Sequence, residues 1–282
     1  MAFGTPAYPT IRDGVTYSGA PFSPDPIARK ISGVAGSFDF KSFLTRGDRE
    51  NGALALNDTL ADICGGADAI VTNATSLSLS DDGLVIGSDG LNRYVQFPDS
   101  WKCPEDETGW LMQIVFKHDA GHSYGNSKTI SIAGWGYQLG AEMQTSIQFL
   151  TSASGVLQSF RGYTDGGNVE FPNTLALTDG KFHLLSVGAK IVGGQITRYF
   201  GVDRAIVTAP PAAFDGTVNQ PVNAGAPGYV LGGLAGFSGA AVGTVRHARM
   251  WRESLVDNGA DYDIVDLIHL SHTELTAAGR LA

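Results

Sequence analysis

From Ser76 onward the apolar residues come in short runs of alternating phase, and nearly every run is closed by Gly, Asp or Asn. Leu77 and Leu79 alternate before the turn Asp81-Asp82-Gly83. Leu84 to Gly87 is the next strand, closed by Ser88-Asp89-Gly90, and Tyr94-Val95-Gln96-Phe97 ends at Pro98. Trp110 to Lys117 is mostly apolar, as a central strand is. Thr129 to Trp135 and Ser146 to Leu150 alternate, and Val156 to Tyr163 follows Ser154-Gly155. Lys181 to Val187 and Ile196 to Val202 flank the turn Gly193-Gly194. Pro, Ala, Asn and Gly across 208–227 predict a long loop, after which Tyr229 to Gly233 returns to a strand. Gly243 to Leu255 closes the series, with a phase slip between Val245 and Ala248 that predicts a β-bulge. Many short strands between glycine turns predict an all-β, two-sheet antiparallel sandwich.

The flanks read differently. Residues 1–40 hold Pro6, Pro9, Pro21, Pro24 and Pro26, which prevent helix and interrupt central strands. Phe3, Tyr8, Tyr17, Phe22, Phe38 and Phe40 are interleaved with them, so this stretch is too apolar to be a solvated linker. It predicts an extended arm that packs on its own domain, a sister subunit or a larger assembly, with Phe3, Tyr8, Tyr17 and Phe22 as its anchoring side chains. Leu56, Leu60 and Ile63 recur at helical spacing before Gly65-Gly66, predicting a short helix over Leu54 to Ile63. After Asp257-Asn258-Gly259, the residues Ile264, Val265, Leu267, Ile268 and Leu275 give one apolar helix face, capped by Asp261. The expected division is an arm with a short helix over 1–75, a sandwich over 76–256 and a helical tail over 257–282.

Composition narrows the partners. Hydrophobic residues make up 43% of the 282, enough for a sizeable core, while charged residues are only 17%. The net charge is -9 and the 19 Lys and Arg are scattered, so neither nucleic acid nor an acidic membrane surface is an expected partner. Met1 to Ile11 lacks a basic-then-apolar pattern, so no signal peptide is read there. No apolar run is long enough to span a bilayer. Cys64 and Cys103 are too few for a disulfide framework and read as one bridge or two thiols.

Three stretches carry a likeness to a known family. Gly243, Val245, Ala248, Arg249, Met250, Trp251 and Leu255 fit the closing strand of the concanavalin A-like lectin and glucanase superfamily, of the laminin-G-like jelly-roll kind. Arg246 and His247 stand where that pattern has acids. Leu84, Ile86, Tyr94, Val95, Phe97 and Pro98 resemble the family's opening hairpin, and Lys181 to Val187 its W-H-x-V strand, with Phe182 for the tryptophan. The resemblance covers about 76–255 and implies a concanavalin A-like jelly roll; fold alone does not fix activity.

Glucanases of this family carry E-x-D-x-x-E on one strand, which sets two carboxylates on the same face for retaining hydrolysis. That motif is absent. Glu105-Asp106-Glu107 has the wrong spacing, and Asp261-Tyr262-Asp263-Ile264-Val265-Asp266 falls at a helix start. No Ser-His-Asp set or G-x-S-x-G stands out, and His118, His122, His183, His247, His269 and His272 lack a third metal ligand in any local spacing. The sequence therefore predicts no catalytic residues and a protein that is not an enzyme. Cofactors are expected to be none, with calcium as the alternative the family implies, through Asp81, Asp82 and Asp89 as hard oxygen ligands. Sugar binding on such folds uses aromatic faces beside polar groups, which singles out Trp135, Tyr137, Tyr163, Asp165 and Asn168.

An ordered arm on a Gly-rich, acidic jelly roll is similar in layout to virion proteins of tailed bacteriophages. The expected role is a structural virion protein attached to capsid or tail through its arm, made in the host cytoplasm. Its partners would be other virion proteins and copies of itself, such as a homotrimer. The alternative is a tail fibre or spike protein that recognises host surface polysaccharide, and a glycan-cleaving enzyme is the reading set lowest.

Overall fold

The computed structural model describes residues 25–90, 93–126, 128–135, 145–154, 157–164, 167–171, 179–214, 229–233 and 238–281. At Arg93, Trp135, Tyr163 and Asn258 it describes the backbone alone. In chain order the strands are β1 (Val34–Asp39), β2 (Gly52–Ala53), β3 (Thr59–Leu60), β4 (Ala69–Val71), β5 (Leu77–Ser80), β6 (Gly83–Ile86) and β7 (Arg93–Gln96). Then come β8 (Gly109–His118), β9 (Thr129–Trp135), β10 (Thr145–Thr151), β11 (Leu157–Thr164), β12 (Gly167–Phe171), β13 (His183–Val192) and β14 (Gln195–Val202). The last are β15 (Ala205–Thr208), β16 (Ala212–Ala213), β17 (Tyr229–Gly232), β18 (Gly239–Ala240) and β19 (Gly243–Arg252). Helix α1 spans Phe43–Arg46 and α2 spans Ile264–Ala277.

These strands form two sheets. The first runs β15-β14-β13-β8-β19-β6-β5-β2, with β16 beside β14. The second runs β12-β11-β10-β9-β17-β7-β4-β3. Pairing is antiparallel apart from the short β18, which lies parallel to β9. This is the two-sheet antiparallel sandwich expected from the alternation, and it fits the jelly roll that the resemblance implies. Its core lies between the sheets, where Trp110, Met112, Ile114 and Phe116 of β8 meet Ile147 and Phe149 of β10 and Phe160 of β11. At Gly162 the sheets come so close that an added Cβ would sit 2.7 Å from Phe200 and 2.9 Å from Val187.

Strand β19 is the hinge of the first sheet. One edge pairs along β8, and the register shifts between Val245 and His247, at the predicted bulge. The other edge is shared: Gly243 to Val245 pair with β6, and His247 to Trp251 pair with β1. The sandwich thus takes in residues assigned by sequence to the arm. Phe38 and Phe40 are wholly buried in the core, and β2, β3 and β4 extend both sheets ahead of residue 76. The helix expected over Leu54 to Ile63 is replaced by turns and β3. Its apolar spacing is met instead by a bend that buries Leu54, Leu60 and Ile63 and leaves Leu56 exposed.

Strand β8 is apolar on both faces because both are covered. Leu111 faces away from the core and packs with Trp251 against Ile264, Leu267 and Ile268 of α2, and Val115 joins Leu184, Phe182 and Leu275. The N-cap of α2 is Asp263, which accepts from the Val265 amide at 2.7 Å. Asp261, expected in that place, pairs with Lys190 instead. No helix among the described residues is long and apolar enough to cross a membrane. Cys64 and Cys103 are thiols, not joined in a disulfide.

Candidate functional site

The outer face of the second sheet follows from strict alternation. Ile130 and Ile132 on β9, Ile147 and Phe149 on β10, Phe160 on β11 and Val169 on β12 point into the core. Their neighbours Ser131, Ser146, Gln148, Ser159, Arg161, Asn168 and Glu170 therefore lie on the opposite face. Register aligns them in rows: Ser131 stands opposite Gln148, Gln148 opposite Arg161, and Arg161 opposite Glu170. The adjacent row is Gly134, Ser146, Tyr163 and Asn168.

Gln148 organises the rows. Its Nε2 donates to Ser146 Oγ at 3.1 Å, and its Oε1 accepts from Arg161 Nη2 at 3.1 Å. Three more polar atoms around it, Ser131 Oγ, Ser159 Oγ and Arg161 Nε, are buried with no hydrogen-bond partner. A buried polar atom left without a partner costs about 1–3 kcal/mol, so three on one face mark a place that stability alone does not account for. At the β12 side, Asn168 and Glu170 are exposed. The face carries guanidinium and amide donors beside hydroxyls, the kind of groups a hydroxyl-rich ligand pairs with, but Ser131, Ser146, Gln148 and Ser159 are buried and the open part is the β12 edge at Asn168 and Glu170.

Of the residues singled out for sugar, Tyr163 and Asn168 fall together on this face's register. Trp135 stands opposite Tyr229, a core residue, on β9. Tyr137, Asp165 and the arm residues Phe3, Tyr8, Tyr17 and Phe22 lie outside the described residues. Ser131, Gln148, Ser159 and Arg161 were passed over because they are not aromatic. Their signal was a polar residue at every second place within otherwise apolar strands.

The three aspartates weighed for calcium do not converge. Asp81 accepts from Asn51 Nδ2 at 2.7 Å, Asp82 pairs with Lys117 at 3.1 Å and Arg246 at 2.8 Å, and Asp89 faces His122 at 3.3 Å. The hydrogen bond from Lys117, against a smaller opposing effect of burial, holds the Asp82 carboxyl below its usual range. Among the described residues no group of three or more His, Cys, Asp or Glu side chains is placed to hold a metal ion.

The acidic stretches serve structure. Glu107 is buried and accepts from the Ser254 amide at 2.9 Å and its hydroxyl at 2.6 Å. One buried cluster has the composition of a triad without its geometry. Ser37 Oγ lies 3.0 Å from His247 Nε2, and Asp25 Oδ2 approaches that same nitrogen at 3.3 Å. In a triad the acid holds the ring nitrogen remote from the hydroxyl. Ser37 and Asp25 are also wholly buried, so this is a packing network.

No family model matches the chain, and no curated protein matches it. Solved structures of similar architecture do. A Ruminococcus gnavus sialidase carbohydrate-binding module, bound to α2,6 sialyllactose, is 10% identical with a TM-score of 0.36, over 58% of this chain and 84% of its own. An endo-1,3-β-glucanase from Streptomyces sioyaensis is 14% identical at 0.40, over 82% and 98% respectively. Tailspike protein 2 of the Escherichia coli O157:H7 bacteriophage CAB120 is 15% identical at 0.39, over 60% of this chain but 22% of the tailspike. The likeness is one of fold. The glucanase corrects the expectation that the chain is not an enzyme. That expectation rested on a missing E-x-D-x-x-E, which tests one catalytic arrangement and not every enzyme built on this sandwich.

Proposed function

We propose that the chain is a glycan-engaging jelly-roll protein that holds an oligosaccharide across β9 to β12, on the outer face of the second sheet. The observation that supports this is the ring of unpartnered buried atoms, Ser131 Oγ, Ser159 Oγ and Arg161 Nε, set around Gln148. Sugar hydroxyls both donate and accept, so a ligand that enters from the open β12 edge and displaces the cover over these buried atoms would satisfy all three. Of the virion roles weighed from the sequence, a tail protein that recognises host polysaccharide uses such a face, whereas a capsid decoration subunit does not need it. The test is a panel of bacterial polysaccharides titrated against the full chain and against Gln148→Ala and Arg161→Gln. Binding that weakens about tenfold or more in both variants, with unchanged melting curves, supports the reading. Binding indifferent to both overturns it. Assaying the same mixtures for new reducing ends reads out cleavage.

A further inference from the structure

A second site lies away from that face, on the rim of the first sheet. It is an open cleft of about 510 Å³ lined by Lys41, Phe43, Arg46, Arg49, Asn51 and Asp81, together with Gly47 and Glu50. We propose that it binds an acidic sugar, a saccharide unit bearing a carboxylate, and that it does so independently of the second sheet.

The platform comes first. Phe43 opens α1, a single turn capped by Ser42, whose side chain accepts from the Leu44 amide. Leu44 and Thr45 are buried and fix the turn, yet Phe43 is 62% exposed, among the large apolar side chains the fold leaves in water. An aromatic face held out beside polar groups suits the C–H face of a sugar ring, whereas a purely apolar ligand would leave the polar groups unused and a bare ion the aromatic face.

The polar groups beside it are already placed. Arg46 donates to Ser80 O at 3.2 Å and to Asn51 Oδ1 at 2.6 Å, and Asn51 Nδ2 donates onward to Asp81 Oδ1 at 2.7 Å. Arg46 Nε remains buried without a partner. Asn51 and Asp81 supply the donor and acceptors that sugar hydroxyls need, and both are fixed by the Arg46 chain before any ligand arrives.

Charge sets the class. Lys41, Arg46 and Arg49 stand against Glu50 and Asp81 in the cleft. On a chain of net charge -9, three cations outnumber two acids in this cleft. Arg49 donates to Arg46 O at 3.3 Å and pairs with Asp58 at 3.5 Å, both long contacts, while Lys41 is exposed at the lip. A carboxylate on the sugar would complete this arrangement, and its attraction would weaken with salt.

The experiment titrates the full chain with galacturonic acid oligomers and sialyl oligosaccharides, each beside its carboxyl-reduced, neutral counterpart. The expected result is binding of an acidic member, at least tenfold weaker for its reduced form. Phe43→Ala should lose at least tenfold and Lys41→Ala a few-fold; both positions are exposed, so the melting curves should not move. Arg161→Gln, on the other sheet, should leave this binding intact. Absence of binding to every acidic oligomer, equal binding of the reduced forms, or full binding by Phe43→Ala would each overturn the proposal. Loss through Arg161→Gln would assign the acidic sugar to the second sheet and overturn it equally.

Discussion

Asp25 and Arg249 form an ion pair of 3.1 Å with both side chains sealed from water, one at the start of the described chain and the other on its closing strand. Burial pushes the Asp25 carboxyl up, but the charge of Arg249, with hydrogen bonds from His247 and Ser37, more than reverses this and holds it well below its usual range. Asp25 also accepts from the amides of Ile27 and Ala28, and Arg249 continues to Gln113 and to Ser271 of α2, each at 3.2 Å. Removing one partner leaves a buried charge alone, which costs about 3–5 kcal/mol. Asp25→Ala should therefore lower the unfolding free energy by that order in a denaturant titration.

The same pair moves the boundary of the dispensable arm. The division drawn from the sequence, with the sandwich starting at residue 76, implies that residues 1–40 can be removed without unfolding it. With β1 paired to β19 and Phe38 and Phe40 in the core, that deletion should abolish a cooperative melt. Deleting residues 1–24 should preserve the melt. If those residues anchor an assembly, light scattering should show the shorter truncation to be less associated than the full chain.

Asp62 gives a pH signature. Burial, partly offset by the amides of Ser37, Cys64 and Gly66, raises its carboxyl to about 6. Its Oδ1 accepts from Ser37 at 2.9 Å and Cys64 at 2.8 Å, while Oδ2 and the nearby Trp101 Nε1 both lack partners. Gly36 lies between those two atoms, since a Cβ there would sit 2.8 Å from Oδ2 and 2.5 Å from Nε1. A carboxyl raised on folding favours the folded state at low pH, and that contribution is lost as pH climbs from about 4, the unfolded value, through about 6. The loss should be on the order of 3 kcal/mol. Asp62→Asn keeps the acceptor for Ser37 and Cys64, and should flatten the stability profile across that window.

His183 titrates with the opposite partners. Burial lowers its pKa, but hydrogen bonds to Asp203 at 2.6 Å and Asp179 at 3.0 Å outweigh that and raise it. The stabilisation is full below the ordinary histidine value and fades as pH rises through the raised one. The melting temperature of His183→Gln should fall furthest short of the parent below the ordinary histidine value of about 6.5, with the gap narrowing as pH rises above it. A gap that widens with pH would contradict the charged pair.

The strands were legible because their alternation is local: Ser146 to Leu150 and the slip at Val245 announce themselves within a few residues. What the local pattern could not reveal was β1. Phe38 and Phe40 look like arm aromatics until β19, some two hundred residues later, supplies their partner edge. The candidate face was half legible for the same reason. Tyr163 and Asn168 draw attention as an aromatic and an amide by a turn, but Ser131, Gln148 and Arg161 become a row only through pairing across three strands. The spacing of Leu56, Leu60 and Ile63 misled because a bend with two inward apolar residues shares the periodicity of a helix turn.

Helix α2 lies over the outer side of β8, β13 and β19, and the segment around Asp25 is stitched beneath it. The molecule consequently has a back and a front. An attachment made on the helical side would leave the opposite sheet open, and the glycan proposed there would face away from it. A tag or surface tether fused after Ala282 should therefore leave glycan capture undisturbed, whereas one inserted between β11 and β12 should block it.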